Sequence, residues 1–308
     1  MKKYLLSLST VALLAAMSSC SNEEVIGKGE PKVIDDALIS FSKPVVTISQ
    51  NEESKSAIED ATLPTGGTLG IYAYKGTAPY FTAVYTPGDY TALMESGYMW
   101  PGSETVNFYA YFYKGTGVSV TNYETIPYTL NSTWNDQVDL LYAQKSQAKT
   151  ESTPGTVDPV PLVFNHAMAW IRFNIKSSTN AGVELNSVSF LTKTKAAFSL
   201  LAGAFGTASD EATLTLNDAV PVTPDATGGV STACVNSLLI PTTWTDKDIT
   251  VTINGAVFAP VKISETFAPG LVYTYTIDYS GKEIQFSADP EITEWNKTAV
   301  GAVDVPVE

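Results

Sequence analysis

The stretch Val160-Pro-Leu-Val-Phe-Asn-His-Ala-Met-Ala-Trp-Ile-Arg-Phe-Asn-Ile175 constrains the fold most, because its apolar positions change phase half-way along. Leu162 and Phe164 share one face of an extended chain, whereas Ile171, Phe173 and Ile175 share the other. Side chains alternate strictly along a strand, so one regular strand cannot bring both sets to the same core. The small residues Ala167 and Ala169 therefore mark a bulge or bend between two pairing segments. Arg172, Asn174 and Lys176 are then expected on the solvent side of the second segment. A joint of this kind connects two β-rich halves.

Composition agrees with a folded β protein. Of the 308 residues 44% are hydrophobic and 16% charged, too apolar for a disordered chain. The formal charge of -14 becomes -16 if residues 1–19 are removed with Lys2 and Lys3. Such an acidic chain is unsuited to binding nucleic acid or an anionic bilayer through a basic patch. Its two cysteines, Cys20 and Cys234, give no disulfide framework. Cys234 lies in the strand-like run 231–240, where a thiol acts as a small buried hydrophobe.

Lys2-Lys3 precedes an apolar run from Tyr4 to Met17 that is too short to span a bilayer, which makes it a secretory leader. Its ending, Met17-Ser-Ser-Cys20, resembles a bacterial lipoprotein signal, with Met17 and Ser19 departing from the commonest residues at those positions. The resemblance implies a signal peptide over 1–19 and lipid, palmitate included, on Cys20. Several acyl chains at about 0.8 kcal/mol per buried CH₂ make a stable anchor. The acidic Ser21-Asn-Glu-Glu24 resembles the signal that directs such lipoproteins to the outer face of the outer membrane. Residues 20–37 lack apolar periodicity and form a tether.

Ile39 to Ile48 alternates as a strand, with Pro44 tolerated at an edge or bulge. Residues 50–60 are polar and exposed, with Lys55 their only basic residue. Val106, Phe108, Ala110 and Phe112 share one phase and Tyr109, Tyr111 and Tyr113 the other, giving an apolar inner face and an amphipathic outer one. The tyrosines suit packing on a β surface better than stacking on sugar rings. Residues 144–159 are rich in Ser, Thr, Pro and Gly and serve as a boundary. Strands follow over 183–190, 212–216, 231–240, 248–253 and 269–277, with Asn254-Gly255 as a hairpin turn.

The wording of several segments resembles the fimbrillins, the type V pilins and accessory subunits of Bacteroidetes surface fimbriae. They are Trp100-Pro101, Phe108-Tyr-Ala-Tyr111, Asp139-Leu-Leu-Tyr-Ala143, the central Leu-x-Phe-x-His-Ala-Met-Ala, Pro269-Gly-x-x-Tyr-x-Tyr-x-Ile277 and Ile292-x-x-Trp295. The resemblance implies an all-β chain with two tandem transthyretin-like β-sandwich domains, over 38–158 and 159–308, after the signal and tether. It implies a structural or accessory subunit that meets other fimbrial subunits by strand exchange, reaches the outer membrane through lipid on Cys20, and contacts a host or bacterial surface ligand in adhesion. A non-polymerising surface lipoprotein that binds glycans or host ligands is the alternative.

In fimbrillins a protease removes the amino-terminal segment at a site that usually contains Arg. The single Arg here is Arg172, so arginine-specific activation of the leader segment is excluded, and the corresponding bond is Lys55-Ser56. In the tail, Val303, Val305 and Val307 alternate with Ala302, Asp304 and Pro306, so an extended tail offers three β-branched residues on one side, either as a donor strand for another subunit or as a strand that completes its own sandwich, a frayed end being the third reading.

Catalytic, cofactor and metal motifs are not expected. The single histidine, His166, sits beside Ala and Met in a bent strand and suits a hydrogen-bonded core position. One His and one unlipidated Cys cannot form a zinc tetrad. The carboxylates Asp289, Glu291 and Glu294 suit solvated loops better than a glycosidase pair.

Overall fold

The computed structural model describes residues 37–46, 63–85 and 94–295, leaving aside 117, 121, 123, 180–181, 218–222, 226 and 288. Cys20, most of the tether, Lys55, Ser56, Val303, Val305 and Val307 lie outside the described residues. Within them the chain is all β, apart from a single 3-10 turn at Trp134–Asp136.

Upstream of the central joint lie β1 (Leu38–Phe41), β2 (Val45–Val46), β3 (Thr68–Lys75), β4 (Ala78–Tyr85), β5 (Met94–Met99), β6 (Val106–Tyr113), β7 (Ile126–Thr129), β8 (Leu141–Gln147) and β9 (Val163–His166). Downstream lie β10 (Ala169–Ser177), β11 (Leu185–Ser199), β12 (Ala204–Phe205), β13 (Ser209–Leu216), β14 (Val235–Leu239), β15 (Thr242–Ile253), β16 (Ala256–Val257), β17 (Val261–Phe267), β18 (Leu271–Tyr279), β19 (Ile284–Phe286) and β20 (Glu291–Glu294).

Six strands form a sheet in the order β2, β9, β8, β6, β3, β4, while β1 pairs with β5. A second large sheet runs β14, β10, β18, with β19 and β20 sharing the far edge of β18. A third is built on the long strands β11 and β15: β7, β12 and β13 pair with β11, and β16 and β17 with β15.

The phase change in the central stretch is a change of sheet. β9 ends at His166, the chain bends at Ala167 and Met168, and β10 enters the second sheet between antiparallel β14 and parallel β18. Asn174 departs from its expected solvent position and is only 9% exposed, while Arg172 and Lys176 are half-buried. β10 is a central strand with cover on both faces, as the successive burial of Trp170 and Ile171 shows, so its outward phase meets protein rather than water. The Arg172 guanidinium lies over the Trp170 ring at 5.0 Å, and Lys176 Nζ pairs with Asp278 Oδ2 at 2.9 Å.

Two apolar clusters hold the fold. The first gathers Ile39, Phe41, Ile71, Phe108, Phe112 and Phe164. The second includes Ile171, Phe173, Phe190, Val251, Ile277 and Trp295. Ile126, Tyr128, Val138 and Leu140 precede the joint in sequence yet belong to the second cluster, because β7 pairs with β11. Burial of such side chains, at about 1.5–3 kcal/mol each, drives the assembly of strands that have no local partner.

The tyrosine face of β6 turns toward this second cluster. Tyr111 is buried within it, and Tyr72, Tyr109, Tyr113 and Tyr142 are partly buried against it. Tyr142 meets Phe198 at 5.1 Å between ring centroids, and Gln144 Nε2 donates to the Leu201 carbonyl at 3.1 Å. These phenol rings are internal packing surface. Gly70 makes room for them: a Cβ there would lie 2.2 Å from the Tyr111 ring.

Candidate assembly groove

The strand pair β1–β2 occupies a slot whose walls come from distant parts of the chain. On one side β1 runs antiparallel to β5, pairing Leu38 with Met99 and Phe41 with Met94. On the other, residues 40–46 run parallel to residues 160–164. The Val160 N–H donates to the Ser40 carbonyl at 2.8 Å, the Ser42 N–H to the Val160 carbonyl at 3.1 Å, and the Val45 N–H to the Leu162 carbonyl at 3.3 Å. Across the slot the Trp100 N–H donates to the Ala37 carbonyl, and Ser96 Oγ to the Ile39 carbonyl, both at 2.9 Å. Pro44 cannot donate and lies in the break between β1 and β2, where the ladder loses nothing by it.

Side chains fix the strand's phase. Ile39 and Phe41 are fully buried and Val46 nearly so, while Leu38 and Val45 face outward. The Phe41 ring stands edge-on to Phe108 at 5.5 Å, and Trp100 meets the same Phe108 ring at 6.0 Å. A slip of one residue would turn Leu38 and Ser40 inward, so the slot specifies its register.

This strand is separable from the rest of the ladder. Among the described residues β2 is the edge of the six-stranded sheet and β1 pairs with β5 and the Val160 segment, so the ladders that join β9, β8, β6, β3 and β4 do not depend on them, whereas β5 has its ladder with β1. What withdrawal exposes is a groove floored by Phe108, Trp100 and Phe164, with unpaired backbone groups along residues 160–162 and β5. Such a groove accepts an extended segment with apolar side chains at alternate positions.

A buried polar contact closes the far end of the central stretch. His166 Nδ1 and Asp139 Oδ2 are 2.8 Å apart, with side chains 1% and 0% exposed. His166 also stacks on Trp295, which places the histidine in packing rather than in a cleft. Cys234 is likewise buried. Among the described residues no group of three His, Cys, Asp or Glu side chains is arranged to hold a metal ion, and no helix is long and apolar enough to cross a membrane.

A sequence profile of fimbrillin-like proteins matches residues 46–295. The chain belongs to the fimbrillin-like family. Solved structures share its fold. One is a protein from Bacteroides ovatus assigned to cell adhesion, 15% identical, with a TM-score of 0.59 over 86% of this chain and 99% of that one. Another, from Bacteroides uniformis and also assigned to cell adhesion, is 17% identical, with a TM-score of 0.56 over 84% and 98% of the two chains. A fimbrial protein of Bacteroides vulgatus is 15% identical, with a TM-score of 0.53 over 83% and 99%. No curated protein matches the chain.

Of the groove, the sequence pattern located β1 and its buried phase. It did not reveal the walls, because pairing between positions 118 residues apart, such as Ser42 with Val160, leaves no periodic signal in either segment.

Proposed function

We propose that this fimbrillin-like chain is a cell-surface subunit, structural or accessory, that joins fimbriae by β-strand exchange and acts in adhesion. It is anchored before assembly in the outer membrane by lipid on Cys20. Two sandwich domains, 38–158 and 159–308, carry the assembly surfaces, with residues 118–140 reaching from the first into the second core. The observation that carries this reading is the pair β1–β2, in which β1 is hydrogen-bonded on both sides and β2 lies at a sheet edge, and whose partners are all far away in sequence. The relatives assigned to adhesion and fimbriae support the same class of role.

The candidate cleavage bond, Lys55-Ser56, follows this strand in sequence, so cutting there would release it together with the lipidated amino terminus. The tail of the next subunit then supplies Val303, Val305 and Val307. The energetics favour cleavage before exchange. Ile39, Phe41 and Val46 are together larger than three valines, and each buried side chain contributes about 1.5–3 kcal/mol. An incoming tail has less apolar area to bury and loses about 1–2 kcal/mol of backbone entropy per ordered residue. It does not displace a tethered resident strand, yet it can fill an empty, preformed groove.

Mass spectrometry of the amino terminus tests the maturation step. Polymerised protein is expected to begin at Ser56 and unprocessed membrane protein to carry lipid on Cys20. An intact amino terminus in purified polymers would contradict the scheme. Deleting residues 299–308 is expected to leave a cooperatively melting monomer that cannot polymerise. Normal assembly of that truncation would remove the tail from the donor role.

A further inference from the structure

We propose a binding site for a single neutral pyranose between the 3-10 turn at Trp134–Asp136, the end of β13 and β14, a site whose existence does not depend on strand exchange. It is lined by Thr133, Trp134 and Asn135 at the turn, by Thr215, Leu216 and Asn217 at the end of β13, and by Asn236 of β14. The cleft is shallow, with about 40 Å³ of sheltered volume, so it seats one sugar ring against its surface rather than enclosing an oligosaccharide.

The lining carries the chemistry that a sugar requires. A pyranose has an apolar C–H face and a rim of hydroxyls that both donate and accept. It is held by an aromatic ring together with amides, which also do both. Here the ring is Trp134 and the amides are Asn135, Asn217 and Asn236. Asn135 and Asn217 are exposed, and their side chains make no hydrogen bond among the described residues. Asn236 accepts from Trp170 Nε1 at 3.2 Å and donates to the Cys234 carbonyl at 2.8 Å, which orients the amide and leaves one N–H and one lone pair for a ligand. None of the lining side chains is charged, and the chain's formal charge is -14, so the cleft favours a neutral ring over an anionic one.

The aromatic wall is rigid in advance of binding. Trp134 stacks on buried Trp170 at 5.8 Å and 21°, and Trp170 in turn meets Trp295 at 5.3 Å. Buried Gln137 ties the turn to β14. Its backbone N–H donates to the Trp134 carbonyl at 3.1 Å, its Nε2 donates to Ser237 Oγ at 3.0 Å, and its Oε1 accepts from the Leu238 N–H at 2.6 Å. A wall fixed by side chains from two other segments has little ordering entropy left to lose when a ligand arrives.

Saturation-transfer NMR on the protein with glucose, galactose, mannose, N-acetylglucosamine and N-acetylneuraminate tests the assignment. At least one neutral sugar is expected to receive saturation, with roughly millimolar affinity, and N-acetylneuraminate none. Trp134→Ala is expected to abolish the effect. Asn217→Ala removes an exposed amide with no structural hydrogen bond, so it keeps the fold and is expected to weaken binding about fivefold, the worth of one hydrogen bond. The site is refuted if no neutral sugar receives saturation, if only N-acetylneuraminate does, or if binding is unchanged in Asn217→Ala with the chain folded.

Discussion

His166 lies flat against Trp295, with ring centroids 4.0 Å apart and planes inclined by 11°. Through this stack the end of β9, in the first large sheet, is coupled to the residue that follows β20 at the edge of the second. The Trp295 N–H donates to the Gly270 carbonyl at 2.7 Å, which holds the indole in place as the chain leaves the sheet. Asp139 completes the contact from the segment before β8.

Trp295→Ala is therefore expected to destabilise the chain by about 3–5 kcal/mol, the usual cost of emptying a large aromatic site. Asp139→Ala takes the acceptor from a buried imidazole nitrogen and is expected to cost about 1–3 kcal/mol. Urea unfolding measures both. Because each substitution disturbs His166, the double variant is expected to depart from additivity by about 0.5 kcal/mol or more. Strict additivity would mean that the stack and the hydrogen bond hold independent parts of the fold.

Gly70 is required by a ring rather than by a turn. A methyl group placed there meets Tyr111 at 2.2 Å in the middle of β3, so the phenol must leave its packed position. Gly70→Ala is expected to cost about 1–3 kcal/mol, as overpacking does, and to change the near-ultraviolet circular dichroism of the tyrosines. An unchanged unfolding midpoint would show that Tyr111 has another place to go.

Alkali gives a separate test of the same packing. Burial pushes the phenols of Tyr111, Tyr128 and Tyr275 well above their ordinary value, with neighbouring negative groups adding to the shift. The folded chain therefore holds these protons after the unfolded chain has lost them. Their contribution to stability is present below the unfolded value of about 10 and is lost as pH rises beyond it. Urea midpoints are expected to fall from about pH 9 to pH 11, and spectrophotometric titration is expected to show a class of tyrosines that ionises only on unfolding. If all 16 tyrosines titrate together in the native chain, these rings are not packed as described.

Where periodicity and turn chemistry decide structure, the sequence was legible. Val106, Phe108, Ala110 and Phe112 alternate inward and are fully buried. Asn254 and Gly255 both adopt positive φ, at 50° and 74°, as a tight hairpin turn between β15 and β16 demands. The phase change around Ala167 marked a true joint, although the pattern could not say that it leads into another sheet. β4, β7 and β17 left weaker signals. β7 is four residues long and contains Pro127, and it exists because β11 offers Ala196–Phe198 as partners. In β17 the inward phase of Val261, Ile263 and Phe267 is interrupted by Glu265, which weakens the apolar alternation. The amide cleft was equally hidden, since Trp134, Asn217 and Asn236 come together only when the third sheet and β14 are assembled.

The central claim is that β1–β2 is a removable occupant of an assembly groove. Its most direct test is the oligomeric state of full-length chain carrying a specific protease site at Lys55, measured by light scattering before and after cutting and release of the amino-terminal segment. The account predicts a monomer before cutting and a ladder of multimers afterwards, suppressed by added peptide corresponding to residues 37–46. A cut chain that loses the segment, keeps its β spectrum and stays monomeric would contradict it.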